Sequence, residues 1–402
     1  MQKKTLLMIL ALYIASSAIS YGVFSFLAPA KRLVVMNNQT EDAPVVEEEE
    51  DNGLESLLTI NPSEPKDQPC PLNGQLYTTT EKAAWEQKRP LAVMIENTPD
   101  ARPQSGLGDA DVVFEAVAEG GITRFMGMFY CDVQAYDTPL APIRSARVYY
   151  MSYAAGFNRP LYVHVGGANT PGPADALGIL GQWGWNGEND LNQFSIGYPT
   201  FVRDYNRIPG KEIATEHTMV TSTQKLWDVG VKREWTNMSP SITGRGGKVT
   251  PGTDWKEGFT GWEFEDGQAG AGTAPKVSYE FWSGYDDYAV EWNYDAATNT
   301  YLRSQGGEKH VDLNNDHQIG AKNVIVLLTT EKGPIDEKKH MLYETTGTGD
   351  ALLFKNGEAT KITWSKKTHE SELQFLSAGK PVKLNRGMTW ISILDKKAQV
   401  TY

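Results

Sequence analysis

The sequence predicts an α/β N-terminal domain followed by a mainly antiparallel β C-terminal domain, both behind an N-terminal transmembrane helix. Three observations predict this arrangement. A long charge-free run opens the chain, strands alternate with helices before residue 237, and short strands separated by turn residues dominate after residue 275. The region from residue 70 to residue 402 is long enough for two ordinary domains.

The N-terminal segment predicts a membrane anchor. Residues 1–4 form a short basic cytoplasmic start, and residues 5–28 contain no charged side chain, which meets the length of about 20 apolar residues needed to cross a bilayer. Basic residues before a first span keep the N-terminus inside, so the rest of this single-pass protein would lie on the extracytoplasmic side of the cell membrane. The Ala-Pro-Ala run ending at Ala30 resembles a cleavage site, so a removed signal peptide and secretion remain the alternative.

Residues 29–69 predict a disordered acidic tether. Residues 41–68 hold ten Asp or Glu residues and one Lys, a net charge of −9, whereas the whole chain carries −12. Such a segment has too few large apolar side chains to bury a core. The rest of the chain shows no basic stripe, so nucleic acid is not an expected partner.

Residues 70–236 predict the α/β domain. Short apolar runs predict strands, and helical spacing with turn residues at the ends predicts helices. The predicted strands are Leu91–Ile95, Val112–Ala118, Ile122–Tyr130 and Leu161–Val165, and the predicted helices are Ser145–Phe157, Ala174–Trp183 and Thr221–Val229. Gly120-Gly121 would form a hairpin turn, Ser145 would cap the first helix, and Gly230 would end the third.

A Gly-rich linker at residues 237–275 is expected to separate this domain from a β-rich domain at residues 276–402. The linker is rich in Gly, Ser, Thr and Pro, which mark loops. After it, apolar runs predict strands at Val277–Trp282, Ala289–Tyr294, Val324–Leu328, Ala351–Phe354, Thr360–Trp364 and Met388–Leu394. Turn signals between these runs favour an antiparallel sandwich or half-barrel.

Charged and polar residues concentrate beside the predicted buried strands of the first half. Such groups are costly to bury unless they pair with each other or with a ligand, which predicts a specific polar site. The candidate ligand-binding residues are Arg102, Gln104, Ser105, Glu115, Glu119, Thr123, Arg124, Arg144, Ser145, Arg147, His164 and His217. Strand alternation places Glu115, Val117 and Glu119 on one face, so the two carboxylates would lie together.

Three interpretations of these residues remain open. Arginine forks bind carboxylate or phosphate through paired hydrogen bonds, which favours an anionic ligand. The same arginines would instead form a buried scaffold if Glu115 and Glu119 neutralise them. In a catalytic arrangement Ser145 would be the nucleophile, His164 the base and Glu119 the group that orients it, although no Gly-x-Ser-x-Gly elbow surrounds Ser145.

Cys70 and Cys131 are the two cysteines of the chain. Outside the membrane they can form a disulfide bond, and two free buried thiols are the alternative.

Neither cysteine has metal-ligand spacing, and the calcium-loop pattern that starts at Asp312 lacks the required Gly and Glu, so no metal is expected. The Gly-Gly steps lack the features of phosphate and dinucleotide loops, so no cofactor is expected.

An aromatic, glycine-rich stretch contains Trp183, Trp185, Tyr198 and Phe201. Core packing is one interpretation of these side chains. Exposed rings that stack on sugar faces or on peptide partners are the other.

Several motifs resemble the signature of one bacterial family. The residues that carry the resemblance are Pro71–Gly74, Arg102–Gly106, Ala110–Asp111, Glu119–Arg124, Pro142–Arg147, His164–Gly167 and His217 in the first half, and Tyr294–Asp295, Tyr301, Arg303, His310–Asp312, Asn323–Val326 and Thr389–Ile391 in the second. In these motifs the chain resembles the YerB-like lipoproteins, over nearly the whole region after residue 70. It departs from the family in lacking a lipobox cysteine and in the residues on both sides of His217.

The resemblance implies an envelope protein with two outward-facing domains, and it implies no defined reaction. Together with the predicted anchor and tether, it favours a membrane-tethered binding or scaffold protein with an Arg/Glu-lined polar cleft in its N-terminal domain. The expected partners are a cell-wall polymer or another envelope protein. The alternative is a hydrolase or transferase that acts on the cell wall through Glu119 and His164.

Overall fold

The computed structural model of the protein describes residues 54–244, 247–270 and 272–402. Within these ranges, all α-helices lie before residue 237 and eleven strands join one mixed central sheet. The helices are Thr79–Trp85 (α1), Val148–Ala155 (α2), Ala176–Gln182 (α3), Gln193–Ile196 (α4) and Thr223–Lys232 (α5).

The central sheet combines strands from both halves of the chain. They are Leu91–Glu96 (β1), Val112–Glu119 (β2), Ile122–Phe129 (β3), Leu161–His164 (β4), Asp190–Asn192 (β5), Asn323–Thr329 (β6), Gly347–Lys355 (β7), Glu358–Lys366 (β8), Gln374–Ser377 (β9), Lys380–Pro381 (β10) and Thr389–Asp395 (β11). Their order across the sheet is β10-β9-β8-β7-β6-β11-β2-β3-β1-β4-β5. The prediction of antiparallel pairing holds from β6 to β10, but β11 runs parallel to both of its neighbours, β6 and β2.

A second, antiparallel sheet lies within the last third of the chain. Its strands are, in order, Glu308–Lys309, Thr300–Gln305, Val290–Asp295, Lys276–Tyr279 and Val400–Thr401, with Gly320–Ala321 paired to Thr300–Gln305. The remaining strands form short ladders. Met219–Ser222 pairs with both Pro139–Leu140 and Val202–Arg203. The other ladders pair Gln68–Pro69 with Leu76–Tyr77, Ile242–Thr243 with Val249–Thr250, Glu263–Glu265 with Lys383–Asn385, and Glu331–Lys332 with Leu342–Tyr343. Trp292 of the second sheet contacts Trp390 on β11, with 5.4 Å between ring centroids, so both sheets share one core.

The central sheet joins the two halves that the linker prediction separates. Thr389 on β11 lies opposite Val112 on β2, and the ladder continues in parallel along both strands. Because each strand satisfies backbone groups of the other, the described residues from 54 to 402 form one compact unit. Among its described residues, the segment at 237–275 also holds three short strands and the buried Trp255, so the predicted Gly-rich linker is partly structured.

The predicted membrane span at residues 5–28 and the start at residues 1–4 lie outside the described residues, as does the part of the tether before residue 54. Within the described ranges, no helix is long and apolar enough to cross a membrane. The remaining part of the tether packs against the body. Leu57 N donates to Ala135 O at 2.8 Å, and the Glu64 carboxylate accepts from Thr80 N at 2.8 Å at the start of α1. Disorder is therefore the wrong prediction for residues 54–69, because their polar groups find partners on the folded body.

Two predicted helix ends are wrong. Helix α2 begins at Val148 with Arg147 as the N-cap residue and without a side-chain cap, so Ser145 is not its cap. Helix α5 continues through Gly230 to Lys232. A Cβ atom at Gly230 would lie 2.7 Å from the Trp235 carbonyl oxygen, so this glycine permits close packing and does not end the helix.

Two contacts tie distant segments of the fold together. The predicted disulfide bond is confirmed, since Cys70 and Cys131 are bonded and buried. The Asp312 carboxylate, which begins the calcium-loop pattern, accepts hydrogen bonds from Gly106 N at 2.9 Å and Gly108 N at 2.8 Å. In this structure Asp312 therefore anchors the second half of the chain to the first.

The aromatic stretch divides between core and surface. Trp185 and Phe201 are buried. Trp183 is half-buried, and Tyr198 is 84 % exposed. Core packing is therefore the correct interpretation for two of these four residues.

Candidate functional site

A bulge in the β2–β3 hairpin separates its two carboxylates. The register between the strands shifts between Val117 and Glu119, and an extra residue in one strand reverses the alternation of side chains beyond it. Glu115 accepts a hydrogen bond from Thr123 at 3.1 Å, whereas Glu119 accepts one from Arg124 at 2.7 Å. Because Thr123 and Arg124 are consecutive strand residues, they lie on opposite faces. The prediction that both carboxylates lie together is therefore wrong.

Glu115 lies in a buried polar group that we call the Glu115 network. Its members are Asn97, Gln104, Glu115, Thr123, Arg303 and His310. Arg303 Nη2 donates to both oxygens of the Glu115 carboxylate, at 2.9 and 3.1 Å, and Trp390 Nε1 donates to it at 3.2 Å. The side chains of Glu115 and Arg303 have no exposed surface. A buried ion pair with this many hydrogen bonds is a structural element, because neither charge can be left unmatched.

His310 extends the Glu115 network toward the first half of the chain. Arg303 Nη1 donates to His310 Nδ1 at 2.7 Å, so the ring proton is on Nε2, which donates to Gln104 Oε1 at 2.9 Å. Gln104 Nε2 in turn donates to the Glu96 carbonyl oxygen at 2.9 Å. Burial and the neighbouring arginines hold the pKa of His310 well below its usual value. Every link of this chain is therefore made within the protein.

Glu119 belongs to a second group, on the other face of the sheet, that we call the arginine cluster. Its members are Glu96, Glu119, Arg124, Arg144, Arg147 and His217. Arg124 Nη2 donates to Glu119 Oε1 at 2.7 Å, and Arg147 Nη2 donates to Glu119 Oε2. Burial would raise the pKa of Glu119, but the two arginines outweigh this effect and lower the pKa to about 2. Glu119 is therefore ionised at neutral pH and holds two guanidinium groups.

Glu96, the last residue of β1, holds the other side of the arginine cluster. It lies opposite Arg124 in the β1–β3 ladder, so both point to the same face. His217 Nδ1 lies 2.9 Å from Glu96 Oε2. Arg144 Nε lies 3.3 Å from Glu96 Oε1, without the geometry of a hydrogen bond. The cluster thus combines side chains from β1, β2, β3, the segment before α2 and the turn before residue 218.

The arginine cluster carries more positive than negative charge. Among its ion-paired side chains, three guanidinium groups face two carboxylates, before any proton on His217 is counted. Outside these pairs, the exposed Glu216 carboxylate also interacts with Arg144, and the Arg207 guanidinium interacts with Glu96. The side chains of Arg144 and Glu119 are 27 % and 24 % exposed, so the cluster reaches the surface. The buried Nε atoms of Arg124, Arg144 and Arg147 have no hydrogen-bond partner among the described residues. This arrangement can accept a phosphate or carboxylate group at its exposed edge.

The predicted triad of Ser145, His164 and Glu119 is not assembled. His164 is fully buried, with Nδ1 2.6 Å from the Gly166 carbonyl oxygen and Nε2 2.5 Å from Asp190 Oδ1. Because a carbonyl oxygen can only accept a hydrogen bond, His164 Nδ1 carries a proton. The other ring nitrogen, Nε2, is hydrogen-bonded to Asp190. Within the described part of the chain, the Ser145 hydroxyl makes no hydrogen bond. Ser145 contacts the arginine cluster only through its carbonyl oxygen, which accepts a hydrogen bond from Arg124 at 3.1 Å.

Arg102 and Ser105 lie beside these groups. The half-buried Arg102 guanidinium donates to the Asn97 carbonyl oxygen at 3.0 Å and lies 5.1 Å from the ring centre of Tyr288. Burial lowers the pKa of Arg102 to about 10, so it remains a cation at neutral pH. Ser105 is held through its backbone, which donates to the Ala141 carbonyl oxygen at 2.8 Å.

Glu96, Asp190 and Arg303, the partners of predicted site residues, are not among the residues predicted for the site, although Arg303 belongs to the motifs that resemble the family. Glu96 carries a usable signal, because a charged residue at the end of a fully apolar strand needs a partner. Arg303 lies 188 residues from Glu115 along the chain. No local pattern connects two positions so far apart, so only the fold identifies this pair.

Two family models match this chain, one in each part. Residues 77–236 match the family model for the N-terminal domain of the DUF3048 protein of unknown function, and residues 277–391 match the model for its C-terminal domain. The chain is 27% identical over 327 residues to "Putative lipoprotein YerB" of Bacillus subtilis (strain 168), across 81% of this chain and 86% of that protein. The crystal structure of YerB protein from Bacillus subtilis matches the fold with a TM-score of 0.63, at 25% identity, over 83% of this chain and 99% of that chain.

These matches confirm the resemblance that the sequence motifs indicate. The two family models together span more than half of the chain. The motifs around Glu119–Arg124 and Pro142–Arg147 lie inside the first matched region, and Arg303 and His310 lie inside the second. The chain therefore belongs to the YerB-like family defined by the N-terminal and C-terminal DUF3048 domains.

Proposed function

We propose that this protein is a membrane-tethered envelope protein that binds an anionic wall polymer through the arginine cluster. The observation that carries the proposal is the charge imbalance of the cluster, three guanidinium groups against two carboxylates, with Arg144 at the surface. A partly exposed cationic group set in protein attracts an anion more strongly than the same group in bulk water, because the local dielectric is lower. Phosphate and carboxylate groups both match the geometry of a guanidinium fork.

The proposed location rests on the chain before the folded body. The charge-free run at residues 5–28 favours an anchor, and the acidic residues that follow favour a solvated spacer. The similar Bacillus subtilis protein carries the name "Putative lipoprotein YerB", which supports attachment to a membrane. The disulfide bond supports an oxidising compartment outside the cytoplasm. Cleavage near Ala30 would release the same binding domain in soluble form.

Arg144 is the residue that we expect to contact the ligand. Its side chain is the most exposed of the three arginines, and its Nε atom is not hydrogen bonded to Glu96. Arg124 and Arg147 are nearly buried and held by Glu119. They would therefore support the ligand through charge more than through direct contact, and Glu119 would limit the affinity for anions.

A wall-directed hydrolase or transferase that uses Glu119 and His164 has less support. A carboxyl group with a pKa of about 2 is neither a proton donor at neutral pH nor a strong base. Both ring nitrogens of His164 are engaged inside the protein. Neither residue is free for proton transfer to a substrate in this geometry.

Binding to isolated cell walls tests the proposal. We expect the wild-type protein to co-sediment with walls that retain their phosphate-rich polymers, and less so as salt rises, because exposed charge pairs are screened. Arg144→Ala should weaken this binding by about tenfold, equivalent to about 1.4 kcal/mol. Arg144→Lys should recover only part of it, because lysine keeps the charge and loses the planar fork.

Arg386→Ala provides a matched control. Arg386 has 29 % side-chain exposure and pairs with an acid, Asp266, but lies outside the arginine cluster. Its loss should leave wall binding unchanged. Equal binding by Arg144→Ala and wild type, or undiminished binding to walls stripped of anionic polymer, would contradict the proposal. Cross-linking of the cluster to an envelope protein with no polymer bound would assign a protein partner instead.

A further inference from the structure

A second recess, away from the arginine cluster, has four tryptophan residues in its lining. It has a volume of about 740 Å³, which lies within the range of small-molecule sites. We call it the tryptophan cleft; the residues that define it are Trp183, Trp185, Trp235, Trp255, Arg159 and His369. No member of the arginine cluster lines it.

The mouth of the tryptophan cleft holds a pair of stacked rings. His369 lies over Trp183 with 4.2 Å between ring centroids and 21° between planes. Trp185 meets Trp183 edge-on, at 5.7 Å. Trp183 is half-buried, and the His369 side chain is 41% exposed. The stacked pair is therefore partly exposed at the opening, while the rings of Trp185, Trp235 and Trp255 are buried.

Arg159 places a fixed polar group on the wall of the cleft. Its guanidinium lies 4.8 Å from the ring centre of Trp235, and Nη2 donates to the Gly184 carbonyl oxygen at 2.6 Å. The buried Nε atom has no hydrogen-bond partner among the described residues. Arg159 as a whole is half-buried, so a ligand acceptor would meet the outer part of its guanidinium and not the buried Nε atom.

The backbone beneath Arg159 adopts an unusual conformation. Asn158 and Arg159 have φ angles of 50° and 59°, and two consecutive non-glycine residues in the left-handed region are uncommon. The Asn158 side chain holds this turn by donating to the Trp255 carbonyl oxygen at 2.6 Å and to the Glu257 carbonyl oxygen at 3.1 Å. Such strain persists only where surrounding contacts impose it, and it concentrates at ligand sites.

The charges around the cleft nearly cancel. Arg89 and Arg159 face Asp254, Glu257 and Glu370 along the lining. This balance differs from the excess of positive charge in the arginine cluster and does not favour a strongly charged ligand. Sugar rings suit the combination, because their C–H faces pack on aromatic rings while their hydroxyl groups take up hydrogen bonds at the rim.

We propose that the tryptophan cleft binds an uncharged oligosaccharide. One pyranose ring packs at the opening against the His369–Trp183 pair, and a ring oxygen or hydroxyl accepts from Arg159. The site is separate from the arginine cluster, so the result of an anion-binding experiment on that cluster neither supports nor contradicts this inference.

Calorimetric titration of the intact protein with a tetramer of β-1,4-linked N-acetylglucosamine tests this site. We expect wild-type binding, and a loss of at least tenfold in affinity for both Trp183→Ala and His369→Ala. Because the His369 side chain is 41% exposed, its replacement should leave the fold intact even if Trp183→Ala destabilises it. Arg159→Lys should also weaken binding, since it retains the charge but removes the guanidinium donors.

Two control variants separate this site from other surfaces. Tyr198→Ala removes an aromatic ring that is 84 % exposed and lies outside the cleft, and Arg144→Ala alters only the arginine cluster; both should bind the tetramer as wild type does. The proposal is wrong if wild-type protein releases no binding heat at millimolar tetramer, or if His369→Ala binds unchanged. Loss of wall binding by Arg144→Ala with sugar binding intact would show two independent sites.

Discussion

At the scale of single residues, one carboxylate organises the arginine cluster. Glu119 accepts from Arg124 through one oxygen and from Arg147 through the other. Sharing one acid between two guanidinium groups leaves each arginine incompletely neutralised. It also makes the charge state of Glu119 important for stability, because protonation would leave two buried cations without a counterion.

The stability contribution of Glu119 should depend on pH. Its pKa falls from an ordinary value of 4.5 to about 2 in the folded protein, so the ionised form stabilises the native state above about pH 4.5. This contribution is lost as pH falls through about 2. We expect wild type to have a higher free energy of unfolding than Glu119→Gln at pH 7. Denaturant titration should show that this difference between the two proteins is about 2–3 kcal/mol larger at pH 7 than at pH 2.

An exposed acid on the same half of the protein provides the control. Glu212 is exposed and makes no ion pair within the described residues, so Glu212→Gln should change stability little, and to the same extent at both pH values. A difference between wild type and Glu119→Gln that stays constant from pH 7 to pH 2 would show that the two arginines do not hold Glu119 ionised.

At the scale of secondary structure, the β2–β3 hairpin decides which residues face each other. Its turn, Gly120-Gly121, has positive φ angles at both residues, 52° and 88°, as a two-residue hairpin turn of this type requires. The adjacent bulge then directs Glu119 to the face opposite Glu115. The tip of the hairpin lies under Tyr285, since a Cβ atom at Gly121 would be 2.3 Å from that ring.

Replacement of Gly121 by Ala should therefore destabilise the protein in two ways. The φ of 88° is unfavourable for alanine, and the new methyl group would collide with Tyr285. We expect a loss of about 2–4 kcal/mol in the free energy of unfolding, measured by chemical denaturation.

Gly210→Ala separates the two causes. Gly210 has a similar φ of 74°, but a Cβ atom there would meet nothing within 4 Å. We expect it to cost about 1 kcal/mol, from backbone conformation alone. Equal losses for the two variants would mean that the Tyr285 contact has no energetic role, and Tyr285→Ala should then fail to rescue Gly121→Ala.

At the scale of the whole molecule, both halves of the chain depend on a shared sheet. Strand β11 lies between β6 and β2, so the sheet cannot be cut at the family-domain boundary without exposing backbone hydrogen-bonding groups. The Glu115–Arg303 ion pair and the bonds from Gly106 and Gly108 to Asp312 cross the same boundary. These contacts make the two matched domains one structural body.

A fragment that contains only residues 54–236 should therefore not fold independently. It would expose the edge of β2 and leave Glu115 buried without Arg303, and removal of one partner of a buried pair costs about 3–5 kcal/mol. We expect residues 54–402 to unfold in one cooperative transition by circular dichroism and calorimetry, and the fragment to show no such transition. A fragment that melts cooperatively would contradict this dependence and favour two autonomous domains.

Local pattern predicts much of the element content of this protein. The runs at Leu91–Ile95 and Val324–Leu328 correspond to buried strands, because continuous apolar residues suit a sheet covered on both faces. The pattern fails at Ser145 and Gly230, where tertiary packing overrides the usual capping preferences. It also fails at Glu119, because a bulge of one residue leaves no clear signal in the sequence and still reverses the face of the side chain.

The amino-acid sequence alone determined the strand-rich second half and the concentration of charged residues between Arg102 and Arg147, and it favoured the family and the disulfide pair that were then confirmed. These features depend on composition, spacing and short motifs, which are local. Only the tertiary structure decided which charges pair, that Glu115 is neutralised by an arginine 188 residues away, and that Arg144 reaches the surface. Pairing and exposure depend on which strands lie side by side, and sheet order across the two halves is a property of the whole fold.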